Sequence, residues 1–137
     1  MSQKTLFIVK PDAVERNLSG RILTELEARG FVIRALRRTR LSRAQAEGFY
    51  AEHQGKPFFE PLCAYMSSGP VILACLEADD AVARLREVVG ATDPNQAAPL
   101  TIRRMFAVDK GSNSVHASDS DASARREIEF FKDQLGE

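Results

Sequence analysis

No run of apolar residues in this chain approaches the ~20 that a helix needs to cross a bilayer, so no membrane-spanning segment is expected. The opening MSQKTLFIVKPD has no long apolar stretch before Pro11; no secretory signal is expected, and a cytoplasmic protein follows. Cysteine is scarce: Cys63 and Cys75 are the two, both inside apolar runs, which suits buried thiols and not a disulfide staple. Histidine is equally scarce. His53 and His116 are far apart in sequence, and no Cys/His cluster has zinc spacing. Neither G-x-x-x-x-G-K-[ST] nor G-x-G-x-x-G occurs, so the usual glycine-rich phosphate cradles are absent. Net charge is zero, and global electrostatics advertise no polyanionic partner. There is no linker, internal repeat or low-complexity tract.

What remains is an ordinary globular composition, 44% apolar and 28% charged over 137 residues. That length suits one domain, 1–137, with a real core. TLFIVK (5–10) reads as a buried strand ended by Pro11. Ser19 precedes a helix in which Ile22, Leu23 and Leu26 keep helical spacing up to Gly30. Residues 31–41 alternate, with Phe31, Ile33 and Ala35 on one face and Arg34, Arg38 and Arg40 on the other. Ser42 caps a helix through Tyr50, and 56–69 carries Phe58, Leu62, Tyr65 and Met66 at helical intervals. PVILACLEA (70–78) is a second buried strand, 79–90 a helix with an acidic start, and 118–131 a final helix. Between them, 91–113 reads as mostly irregular, with a short strand near 102–108. That last strand, before the final helix, would complete an α+β, ferredoxin-like sandwich, one sheet with helices against it.

The chemistry concentrates in NSVHASDS (113–120). Ser118-Asp119-Ser120-Asp121 resembles a capping box, which would bring a helix N-terminus close to His116. Within the helix, Ala124, Glu127 and Phe131 fall at i, i+3 and i+7, so Glu127 lies beside the apolar stripe of Ile128, Phe131 and Leu135. An inward carboxylate could hold one ring nitrogen of His116 and leave the other free as a nucleophile. The same spacings fit a capped surface helix with a snorkelling Glu equally well. Taken singly, Lys10, Arg86, Thr92 and Arg103 read as surface residues, Phe58 and Leu62 as core, and the arginine strand as a solvated sheet edge. No exposed aromatics or known reading motif accompany those arginines, so nucleic acid is not an expected partner.

Taken together, KPD (10–12), EGFYAEHQGKPFF (47–59), SGP (68–70), GATDP (90–94), TIR (101–103) and NSVHASDS resemble the nucleoside diphosphate kinase family nearly end to end. The resemblance implies a four-stranded antiparallel βαββαβ sheet with helices packed on it. It also implies ping-pong phosphoryl transfer from a nucleoside triphosphate, chiefly ATP, to a nucleoside diphosphate, maintaining (d)NTP pools. In that scheme His116 becomes a phosphohistidine and Glu127 orients it. Lys10 and Arg103 neutralise the transferring phosphoryl oxygens, while Arg86 and Thr92 hold adjacent phosphates. Phe58 stacks on the base, Leu62 packs near it and Asn113 contacts the sugar. Tyr50 and His53 sit near the phosphates, Tyr50 close to Lys10. Mg²⁺ is held mainly by the nucleotide phosphates, with no direct protein ligand. The resemblance further implies a homo-oligomer of strand-paired dimers, tetramer or hexamer, although KDQLGE leaves little C-terminal tail to lock subunits.

Three positions depart from the family pattern. Leu100 replaces the usual Gly before TIR, Met105 an Asp just after Arg103, and Lys110 an apolar residue near the base. Leu100 would strain a turn whose φ is positive. Leu100, Met105 and the arginine-rich strand keep a rival in view, a nucleotide- or nucleic-acid-binding module with little turnover; a His-dependent phosphatase that needs no acceptor is another.

Overall fold

The computed structural model describes residues 2–109 and 112–136. Four strands, β1 (Ser2–Val9), β2 (Val32–Arg40), β3 (Pro70–Asp79) and β4 (Val115–Ala117), form one antiparallel sheet in the order β2-β3-β1-β4. β1 and β3 are central because both their faces are apolar. Leu6, Phe7, Ile8 and Val9 are each fully buried. Their side chains alternate across the sheet. Phe7 and Val9 join one core with Ile22, Leu26, Leu85 and Val89, whereas Leu6 and Ile8 join another with Phe49, Cys63, Met66 and Phe131. Helices α2 (Ser19–Ala28) and α5 (Ala81–Val89) supply the first layer. The second comes from α3 (Arg43–Phe49), α4 (Phe59–Met66), α7 (Asp121–Phe130) and α8 (Lys132–Leu135). Two shorter helices, α1 (Pro11–Glu15) and α6 (Ile102–Phe106), lie along the end of the sheet where the site forms. Cys63 and Cys75 are both free and buried.

The expected strand near 102–108 is a helix. Thr101 caps it, its hydroxyl accepting from the Arg104 N–H at 3.3 Å, and the cap outweighs the β-branched start of TIRRMF. The fourth strand is instead Val115–Ala117, which carries His116 itself. The expected two-faced reading of 31–41 fails at a bulge between Ile33 and Ala35. One extra residue flips the side-chain order, so Ile33 packs on the first core and Ala35 on the second. Arg34 pairs with Glu77 at 3.1 Å, and Arg40 donates to the carbonyls of Ser67 and Ser68. The last helix starts at Asp121, three residues later than expected. Its cap is Ser120, reciprocally bonded with Ser123. Likewise α4 starts at Phe59, after a 3-10 turn at Ala51–His53. Among the described residues no helix is long and apolar enough to cross a membrane.

Candidate active site

β4 pairs with β1 so that His116 stands opposite Ile8, and Lys10 follows directly where β1 ends. The Lys10 N–H donates to the Ser114 carbonyl at 2.8 Å, which extends the pairing past the strand. Lys10 and the histidine strand therefore meet at the same end of the sheet.

His116 Nε2 and Glu127 Oε1 are 2.9 Å apart, with the carboxylate buried. Ser118 donates its hydroxyl to the same oxygen at 2.7 Å, while Arg126 lies 3.5 Å from Oε2. Glu127 is thus satisfied on both oxygens, as a buried carboxylate must be. Nδ1 is the ring nitrogen that this carboxylate does not engage. The Phe49 ring packs edge-on to the imidazole, with centroids 5.3 Å apart. Ser118 is therefore no part of the helix cap; fully buried, it braces Glu127 from the strand side. Sequence reading missed it because Ser-Asp-Ser-Asp offers two serines of equal capping propensity.

Two clefts adjoin at Thr92, which lines both. The smaller, about 200 Å³, contains His116, Tyr50, His53, Arg86, Arg103 and Asp119. Its lining mixes charges, Arg86, Arg103 and Arg126 standing among Glu52, Asp119 and Glu127. Arg103 donates to the carbonyls of Gly90 at 3.0 Å and Val115 at 2.9 Å, and its buried Nε has no protein partner. Burial, and then the nearby Arg86, lower the Arg103 pKa to about 10. Met105 is partly exposed, and the two carbonyls fix the guanidinium without an acid at that position. The Tyr50 hydroxyl and His53 Nδ1 are also buried without a protein partner. Burial, reinforced by Glu127, pushes the Tyr50 phenol well above its ordinary range and keeps it a donor. Three orphaned polar atoms in one cleft await acceptors or donors from elsewhere. The Asp119 carboxylate is held below its usual range, chiefly by the Ser123 hydroxyl.

The larger cleft, about 790 Å³, is lined by Phe58, Pro61, Leu62, Tyr65, Ser112 and Asn113, with Lys10 at its inner end. Phe58 is 48% exposed, an aromatic face presented to solvent and not packed in the core. Lys10 is 7% exposed, and its Nζ donates to Asn113 Oδ1 at 2.8 Å. Asn113 in turn donates to the Thr92 carbonyl at 3.3 Å. Burial and the positive charge of Arg103 lower the Lys10 pKa to about 7, against a smaller opposing pull from Asp12. Tyr50 lines the His116 cleft while Lys10 lines its neighbour. Tyr50, His53 and Phe58 form a ring-to-ring path between the clefts, with centroids 6.3 and 5.2 Å apart. The structure thus gathers Lys10, Tyr50, His53, Phe58, Leu62, Arg86, Thr92, Arg103, Asn113, His116 and Glu127 around two joined clefts. Lys110 lies outside the described residues. Among those described, no group of three or more His, Cys, Asp or Glu side chains is arranged to hold a metal ion.

A family model described as nucleoside diphosphate kinase matches residues 3–135. A protein of that name from Sorangium cellulosum is 51% identical over 129 residues, covering 94% of this chain and 90% of that protein. The nucleoside diphosphate kinase structure from Aquifex aeolicus superposes with a TM-score of 0.93 at 47% identity, covering 96% of this chain and 95% of that one. A halophilic nucleoside diphosphate kinase from Halobacterium salinarum, solved in complex with CDP, superposes at 0.94 with 40% identity, covering 98% and 91%.

Proposed function

Since this chain belongs to the nucleoside diphosphate kinase family, and is a phosphotransferase with the ferredoxin-like fold, we propose that it works by a ping-pong mechanism through a phosphohistidine on His116. The observation that carries the proposal is the Nε2–Glu127 contact, with Ser118 behind it, in the cleft that also holds Arg86 and Arg103. A carboxylate on Nε2 fixes the tautomer with its proton there, leaving the Nδ1 lone pair as nucleophile. That lone pair attacks the γ-phosphorus of a nucleoside triphosphate. The P–N bond forms as the bond to the β,γ-bridging oxygen breaks, and the nucleoside diphosphate departs with that electron pair. Glu127 stabilises the positive charge that develops on the ring. In the second half-reaction a terminal oxygen of the acceptor diphosphate attacks phosphorus and the P–N bond breaks back to Nδ1.

Lys10 and Arg103 neutralise the transferring oxygens, and Arg86 and Thr92 hold the phosphates beside them. The orphaned Tyr50 hydroxyl and His53 Nδ1 complete the polar wall. Phe58 offers a stacking face that reads no base edge, so donor and acceptor bases of several kinds fit one site. The CDP held by the Halobacterium relative supports a nucleoside diphosphate as the occupant. Mg²⁺ enters as part of the substrate, on the phosphates. The protein donors facing those phosphates are cationic or neutral, which suits phosphate oxygens and leaves the metal to the nucleotide. The enzyme serves (d)NTP pools in the cytoplasm. It assembles as a homo-oligomer of strand-paired dimers, tetrameric or hexameric; the exposed β2 edge with Val32 and Leu36, each about half exposed, supports that pairing. Incubation with γ-labelled MgATP is expected to leave an acid-labile label that chases onto GDP or CDP and is absent from His116→Ala. Nucleotide binding without label would favour a binding module, and hydrolysis indifferent to acceptor a phosphatase.

A further inference from the structure

Asp12 sits in the first turn of α1, two residues after Lys10, with its side chain almost buried. Three elements converge on it. The Tyr65 hydroxyl of α4 donates to Oδ1 and accepts from the Asp12 N–H at 3.3 Å, a two-point clamp. The Ser114 hydroxyl donates to Oδ2 at 3.1 Å. Ser114 has φ 72°, a left-handed conformation that costs a non-glycine residue roughly 1–2 kcal/mol and needs local support. It stands between Asn113, which takes the Lys10 ammonium, and the strand that bears His116. Arg16, just past the end of α1, is 3.9 Å from the carboxylate and half exposed.

Resting on the phosphotransfer reading above, we propose that Asp12 is a positioning residue for that reaction: its carboxylate ties α4, the wall of the base cleft, to the Ser114 turn that leads into the histidine strand. It fixes the wall of the base cleft relative to the histidine strand, and so the fit of the nucleoside between them. The same carboxylate acts on Lys10. The groups facing that ammonium are Arg103 from α6, the Asn113 amide oxygen before β4, Thr92 from the loop after α5, Tyr65 from α4 and Asp12 from α1. Burial and the Asp12 contact raise the Tyr65 phenol far above neutrality, so it stays uncharged. Asp12 is the negative charge among them, and it opposes the discharge of Lys10 that burial and Arg103 favour.

Two variants separate the electrostatic and mechanical parts. Asp12→Asn keeps the shape and an acceptor for Tyr65 while removing the charge. The alkaline limb of kcat/KM, which reports the free enzyme, is expected to move about one pH unit towards acid. Tyr65→Phe keeps the charge and removes the link to α4. It is expected to leave that limb in place and raise the KM for nucleoside diphosphate roughly fivefold, the scale of one net hydrogen bond, with kcat within about twofold. A buried polar pair with only a structural role would lower activity without moving the limb or splitting KM from kcat. An unmoved limb in a folded Asp12→Asn protein overturns the proposal, as does an unchanged KM in Tyr65→Phe, which decides the matter if Asp12→Asn does not fold. A wild type that takes no acid-labile label would overturn the phosphotransfer reading and this proposal with it. A labelled wild type with unmoved variants overturns this proposal alone.

Discussion

Lys10 is an ammonium placed where it is barely held as one. Its pKa near 7 follows from burial and from Arg103, so the free protein around pH 8 carries it mostly neutral. A nucleotide polyphosphate supplies the missing counter-charge, so binding should draw in a proton. Calorimetry of nucleoside diphosphate binding in two buffers of different ionisation enthalpy is expected to register proton uptake approaching one at pH 8 and little at pH 6. Lys10→Gln should abolish the difference. For folding the sign is the opposite, since folding releases the proton that binding recovers. The unfolded chain binds the proton up to pH 10.5 and the native one only to about 7, so this residue's contribution to stability is present above 10.5 and lost as pH falls through 7. Much at this scale was legible in advance. Helical periodicity alone put Glu127 beside the Phe131 stripe, and the structure buries both. Asp12 was not legible, because no local pattern records a contact across 102 positions, as between Asp12 and Ser114; Ser118 was missed because two serines competed for the cap, though its partner Glu127 is only nine residues on.

The stretch from α5 to α6 is governed by two backbone positions. Gly90 ends α5 at φ 89°, and a Cβ there would lie 2.6 Å from Thr101 Oγ1, the hydroxyl that caps α6. Its carbonyl meanwhile accepts from Arg103. Gly90→Ala is expected to destabilise by about 2–4 kcal/mol, the sum of left-handed strain and overpacking, read in urea melts. It should also loosen Arg103 and so raise nucleotide KM. Leu100 is the opposite case. It holds φ 68° with its side chain 70% exposed, and its carbonyl accepts from Arg29 at 2.6 Å. The left-handed geometry is present without the residue that adopts it freely. Leu100→Gly is expected to stabilise by roughly 0.5–1 kcal/mol, the relieved strain less the added chain entropy, and to raise Tm by about 2–4 °C. The central strands and long helices were legible because apolar period and caps agree there. The mostly irregular course of 91–113 was legible too, but the strand near 102–108 was misread because a single threonine cap outweighs a β-branched start, and the β2 bulge left no trace in its alternation.

Over the whole molecule, the sheet leaves β2 with a neighbour on one side, and Val32 and Leu36 project from it to solvent. An edge this long and partly apolar invites pairing with a second copy. Leu36→Lys is expected to shift the protein towards monomer in light scattering while its cleft stays intact. A wild type that is monomeric at micromolar concentration would overturn the strand-paired dimer. The opposite edge has another consequence. β4 contributes three residues, and the Lys10–Asn113 contact beside it joins positions 103 apart along the chain. Closing so long a loop costs chain entropy that only three residues of strand pairing help to offset. A chain with this edge undocked therefore lacks the alignment of Lys10 and Asn113 with the histidine strand. The site's geometry thus depends on the least-paired edge of the sheet, so damage to that edge is expected to cost alignment of Lys10 with His116 before it costs the core.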